Sequence, residues 1–143
     1  MQDILQPTID PAERISRFIL SKDLFNSKRF RISPQAFKPA KPQRPGDIPK
    51  ISVYRTERLV DAEVWAIGDE YVTKLRNDRL PVLARGDIQA RKILDLDLKL
   101  MPDQVPHPRH ANVTNWPDEP EARQMKATLI AQQAQLVPRD QSS

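Results

Sequence analysis

The chain has 143 residues, 38% hydrophobic and 29% charged, with a net charge of +4. That length suits one domain with a small core, and fourteen prolines against three glycines favour stiff, extended connections. The absence of cysteine excludes disulfides, thiolate metal sites and thiol catalysis. No apolar run approaches the ~20 residues of a membrane span, and the start lacks the basic-then-apolar order of a signal peptide, so a cytoplasmic protein with no membrane contact is expected.

Taken in chain order, residues 1–13 are polar and expected to be flexible. Ile15, Phe18, Ile19 and Leu20 lie close together, so residues 14–27 fit either a short strand or a helix packed on the domain. Residues 28–50 carry Lys28, Arg29, Arg31, Lys38, Lys41, Arg44 and Lys50 against the single acid Asp47. Pro34, Pro39, Pro42, Pro45 and Pro49 interrupt them, which forbids a helix or a paired central strand and predicts an extended basic arm. Residues 1–50 hold ten Lys and Arg against five Asp and Glu, whereas residues 51–143 hold thirteen against fourteen. The basic character belongs to the first third.

Regular patterning starts at Ile51 and predicts a strand ending near Arg55. Asp61 then caps a helix carrying Val64, Trp65, Ile67, Tyr71 and Val72, within which Gly68 permits close packing. Leu80, Val82 and Leu83 predict a second strand ending at Ala84 and Arg85, and Gly86 and Asp87 a turn into a short helix with Ile88, Ile93 and Leu94. Alternation of Leu96, Leu98 and Leu100 predicts a third strand. A loop over 106–117 follows, and Asp118 caps a last helix that runs to Val137-Pro138, leaving 138–143 as a tail. This order predicts a compact α/β (or α+β) domain over 51–137, with a three- to four-stranded sheet and about three helices.

Three groups of residues carry candidate chemistry. If the strands are parallel neighbours, Arg55, Arg85 and Arg109 share one edge of the sheet and bind an anion, against the plainer reading that Arg85 pairs with Asp87 to fix a turn. The 106–117 loop adds His107, His110 and Asn112. His107 and His110 would need Asp87, Asp103 or Asp118 to complete a metal site, and hydrogen bonding within the loop is the plainer reading, so neither metal nor cofactor is expected. Within the arm, Lys28, Arg29, Arg31, Phe37, Lys38, Lys41 and Arg44 fit a partner surface, either a protein or a nucleic acid with Phe30 and Phe37 stacking on bases.

The run Ser52-Val53-Tyr54-Arg55, Glu63-Val64-Trp65-Ala66-Ile67-Gly68, Ala84-Arg85-Gly86-Asp87-Ile88, Pro108-Arg109-His110-Ala111-Asn112 and Trp116-Pro117 resembles a group of small bacterial proteins. The resemblance spans residues 51–135 and implies a bacterial, intracellular protein, with no activity to carry across. The leading expectation is a non-catalytic accessory protein that docks on a protein or nucleoprotein partner. The alternative is a ligand-binding or hydrolytic domain for a phosphorylated or nucleotide substrate, with His110 as acid or base.

Overall fold

The computed structural model describes residues 5–41 and 44–139. The start of the expected flexible N-terminus (1–4), Pro42 of the arm and most of the expected tail lie outside the described residues. In chain order the elements are β1 (Arg14–Ile19), β2 (Phe25–Asn26), β3 (Arg31–Ile32), β4 (Ile51–Arg55), α1 (Asp61–Gly68), β5 (Ala84–Gln89), α2 (Ala90–Leu94), β6 (Lys99–Pro102), β7 (His110–Thr114), α3 (Pro120–Gln133) and β8 (Gln135–Pro138). Six strands form one sheet in the order β6-β7-β4-β1-β5-β8, and β2 with β3 makes a separate hairpin. Every pairing is antiparallel. The fold is therefore α+β, with three helices and more strands than the sequence suggests.

Strand periodicity sorts the side chains. Register places Ile15, Val53, Ile88, Ala111 and Leu136 on one face of the sheet, where they pack with Ala127, Ile130 and Ala131 of α3 and with Phe37. Ser16, Phe18, Tyr54, Arg85, Asp87, His110 and Asn112 fall on the other. There Phe18 and Tyr54 form a second apolar cluster with Val64 and Ile67 of α1 and with Val82.

Five expectations change. The segment near residue 14 is β1, a central strand with partners on both sides rather than a piece laid on a finished domain. The second strand begins where it was expected to stop, so Gly86 and Asp87 lie within β5 rather than in a turn. The loop after residue 106 contains β7, and the last helix stops at Gln133, where Ala134 turns extended and leads into β8. The proline-rich arm is partly core: Pro34–Phe37 forms one 3-10 turn whose Phe37 is 1% exposed.

Phe37 also accounts for Gly86. A Cβ there would lie 2.9 Å from Ile32 Cδ1 and 3.0 Å from Phe37 Cζ, so the glycine lets the turn press on the sheet. Gly68 has the expected close-packing role, with Phe18 Cε1 3.0 Å from a Cβ built on it. Phe37→Ala should therefore destabilise the protein by about 3–5 kcal/mol in denaturant melts, as loss of a buried core ring does and loss of a ring on a solvated arm does not.

Candidate functional site

The expected trio of arginines does not assemble. Because β1 lies antiparallel between β4 and β5, Arg55 and Arg85 sit on opposite faces of the sheet. Arg55 and Arg109 do meet: the Arg55 backbone N–H donates to the Arg109 carbonyl at 2.8 Å, and Arg109 Nη1 donates to the Arg55 carbonyl at 3.1 Å. They line a cavity of about 410 Å³ with Glu13, Glu57 and Arg58. The Arg55 fork is already committed, with Nε and Nη2 on the two carboxylate oxygens of Glu13 at 2.9 Å each and Nη1 on the Gln6 carbonyl. A bidentate internal pair of this kind leaves Arg55 no free edge for an external anion.

Arg85 is a structural group, as the turn-fixing reading required of its partner if not of its place. It is 1% exposed, Nε donates to Asp87 at 3.0 Å, and Nη2 donates to Asp61 at 2.6 Å. Its guanidinium carbon lies 4.6 Å from the Trp65 ring centre. Asp87 in turn accepts from Ser16, which is bonded to Thr56 at 2.7 Å. The Arg85 bond is the main reason the Asp61 carboxyl sits below its usual range. Asp61 therefore starts α1 and ties it to β5 instead of capping it; Glu63 reaches back to the Val60 N–H at 3.1 Å.

His110 lies inside β7 and is 5% exposed, where a loop residue was expected. Its Nδ1 lies 2.9 Å from the Asp103 carbonyl, which can only accept, so Nδ1 donates, and in the neutral ring the lone pair is on Nε2. Asn112, two residues along the same face, donates to Asp103 Oδ2 at 3.3 Å. His107 Nδ1 accepts the Arg109 backbone N–H at 3.0 Å, and its ring meets Tyr71 edge-on at 4.6 Å. Hydrogen bonding thus occupies this region as the plainer reading held. Among the described residues no group of three histidine or carboxylate side chains has metal-binding geometry.

The basic stretch divides in two. Phe37 is core and Lys38 half-buried, so neither presents the partner surface expected of it. Lys28, Arg29, Arg31, Lys41 and Arg44 are exposed. The first three surround the tip of the β2–β3 hairpin together with Phe30, which is 71% exposed and has φ of 52°. Beneath the hairpin a groove of about 530 Å³ is lined by Lys22, Phe25, Lys28 and Arg139. Lys22, Lys28, Arg29 and Arg31 form no ion pair among the described residues, whereas Arg139 is held by Asp69 at 2.7 Å.

Two further residues matter, Arg17, which no motif marks, and Tyr54, which lies in the Ser52-Val53-Tyr54-Arg55 run without a role assigned to it there. Strand alternation places Arg17 on the sheet face of Ile15 and Tyr54 on the opposite face, yet both line a cleft with His110. Comparison with protein-family models, curated proteins and solved structures gives no match. Among the described residues no helix is long and apolar enough to cross a membrane.

Burial, then the nearby Arg109 and His110, hold His107 below the ordinary imidazole value. Its folded form takes up a proton less readily than the unfolded chain, so stability is unaffected above the ordinary value and falls as pH drops through it. Protonation also removes the acceptor of the Arg109 N–H. Thermal melts from neutral to mildly acidic pH should show a falling Tm, with a smaller fall in His107→Asn.

Proposed function

We propose that the protein is a non-catalytic accessory module that docks on a nucleoprotein, with the β2–β3 hairpin engaging its single-stranded nucleic acid. Phe30 carries the reading. In the left-handed region a bulky L-residue costs about 1–2 kcal/mol where glycine or asparagine costs little, and hairpin turns normally place those residues there. Phe30 bears that cost while burying almost nothing, and it stands between Lys28, Arg29 and Arg31. Strain without a packing return points to a role outside the fold.

An exposed ring among unpaired cations matches how single strands are held: phosphates on Lys and Arg, a base on the ring. The groove under the hairpin continues the cationic lining through Lys22 and Lys28. A binding role is favoured over the hydrolytic alternative because the Arg55, Arg85 and Arg109 anion site that it requires does not assemble.

The test is fluorescence anisotropy with a labelled oligothymidylate. Three to four phosphate contacts predict a slope of log K against log salt of about −2 to −3, reduced by about 2 in the Lys28/Arg29/Arg31→Ala variant. Phe30→Gly should weaken binding by roughly tenfold while leaving Tm equal or higher, since it removes a stacking ring and relieves the backbone. Unchanged affinity in both variants, or binding to polyglutamate and not to the oligonucleotide, overturns the proposal.

A further inference from the structure

On the opposite side of β1 from β5, the sheet comes apart. β1 pairs with β4 only at Ile15↔Arg55 and Ser16↔Tyr54, although both strands continue. The Arg17 side chain bridges the opening: Nε donates to the Ala36 carbonyl at 3.0 Å and Nη1 to the Ser52 carbonyl at 2.9 Å. The cleft has a volume of about 270 Å³ and its polar lining is Arg17, Ser52, Tyr54, Arg76 and His110. No carboxylate lines it.

Three side chains there keep unused hydrogen-bonding capacity. Among the described residues Arg17 makes no hydrogen bond through Nη2 and no ion pair with a carboxylate. Burial pushes its guanidinium down to about 10, opposed in part by Tyr54. The Tyr54 hydroxyl makes no hydrogen bond among the described residues, and the residue lines the cleft. His110 presents the lone pair of Nε2, because Nδ1–H is held by Asp103. A strut joining the Pro34–Phe37 turn to β4 explains Arg17 Nε and Nη1. It leaves Nη2, the Tyr54 hydroxyl and His110 Nε2 unexplained.

We propose that the β1–β4 cleft binds a small oxyanion, carboxylate or phosphate, that also carries a hydroxyl group. The anionic oxygens take Arg17 Nη2 and the Tyr54 hydroxyl as donors, and the ligand hydroxyl donates to His110 Nε2. Tyr71 and Leu75 line the apolar wall against which the rest of the ligand lies. The volume holds a few heavy atoms beyond the anionic group, well short of a nucleotide. This site is independent of the hairpin proposed to meet nucleic acid.

The test uses nuclear magnetic resonance titrations of the full chain with inorganic phosphate, acetate and glycolate. Glycolate adds only a hydroxyl to acetate. The expected result is saturable binding in the millimolar range of at least one oxyanion, with glycolate tighter than acetate by about fivefold. Arg17→Gln should weaken binding at least tenfold, about what loss of a charge-assisted bond costs. Tyr54→Phe, which keeps the packing, should weaken it about fivefold and decides the matter if Arg17→Gln does not fold. No saturation up to about 50 mM, or wild-type affinity in the folded variants, overturns the proposal. Equal binding of glycolate and acetate overturns the role of His110.

Discussion

A guanidinium buried in the middle of an antiparallel sheet constrains the whole molecule. Burying a guanidinium is costly unless it is paired, and the fold supplies Arg85 with acid and hydrogen bonds at Nε and Nη2, while Nη1 has no partner among the described residues. Asp87 on the same strand supplies the acid, Ser16 on the neighbouring strand donates to Asp87 and is itself bonded to Thr56, and Asp61 draws the start of α1 over the top. Breaking a buried pair of this kind by removing one partner typically costs about 3–5 kcal/mol. The bond to Asp61, which is 72% exposed, adds little energy but fixes where α1 begins. The helix then carries Val64, Ile67 and Trp65 onto Phe18, Tyr54 and Arg85.

The arginines differ in how completely they are answered, and that difference separates structure from function. Arg55, Arg85 and Arg139 each find a carboxylate within the chain. Arg17 finds two carbonyls, and the hairpin cations find solvent. Internal pairs stiffen the domain; open donors can act on something else. The two proposals rest on these open donors, in a cleft of about 270 Å³ and on an exposed hairpin. The rigid β1 strand, paired on both sides for its first half, lies next to the cleft.

Much of this was legible in the residues. Alternation marked β4, helical spacing marked α1 and α3, and Gly68 announced its close contact. What stayed hidden were strands whose buried side chains are polar. β5 reads as a turn because Arg85, Gly86 and Asp87 look exposed, yet each charge is answered only by residues distant in sequence or by the other. His110 and Asn112 disguise β7 in the same way. β8 is masked by Leu136, which continues the helical spacing after the backbone has turned extended at Ala134. In the candidate site, charge alone located Lys28, Arg29 and Arg31, but proline density could not show that Phe37 folds back onto Gly86. Nor could it show that antiparallel pairing would separate Arg85 from Arg55 and Arg109.

The claim that the two open cationic sites are distinct can be tested by mapping backbone amide shifts while adding either oligothymidylate or glycolate. The account predicts that the oligonucleotide perturbs residues around Ser27–Ile32, that glycolate perturbs those around Arg17, Tyr54 and His110, and that each ligand leaves the affinity for the other unchanged. Perturbation of one shared set of residues by both ligands, or competition between them, would contradict it.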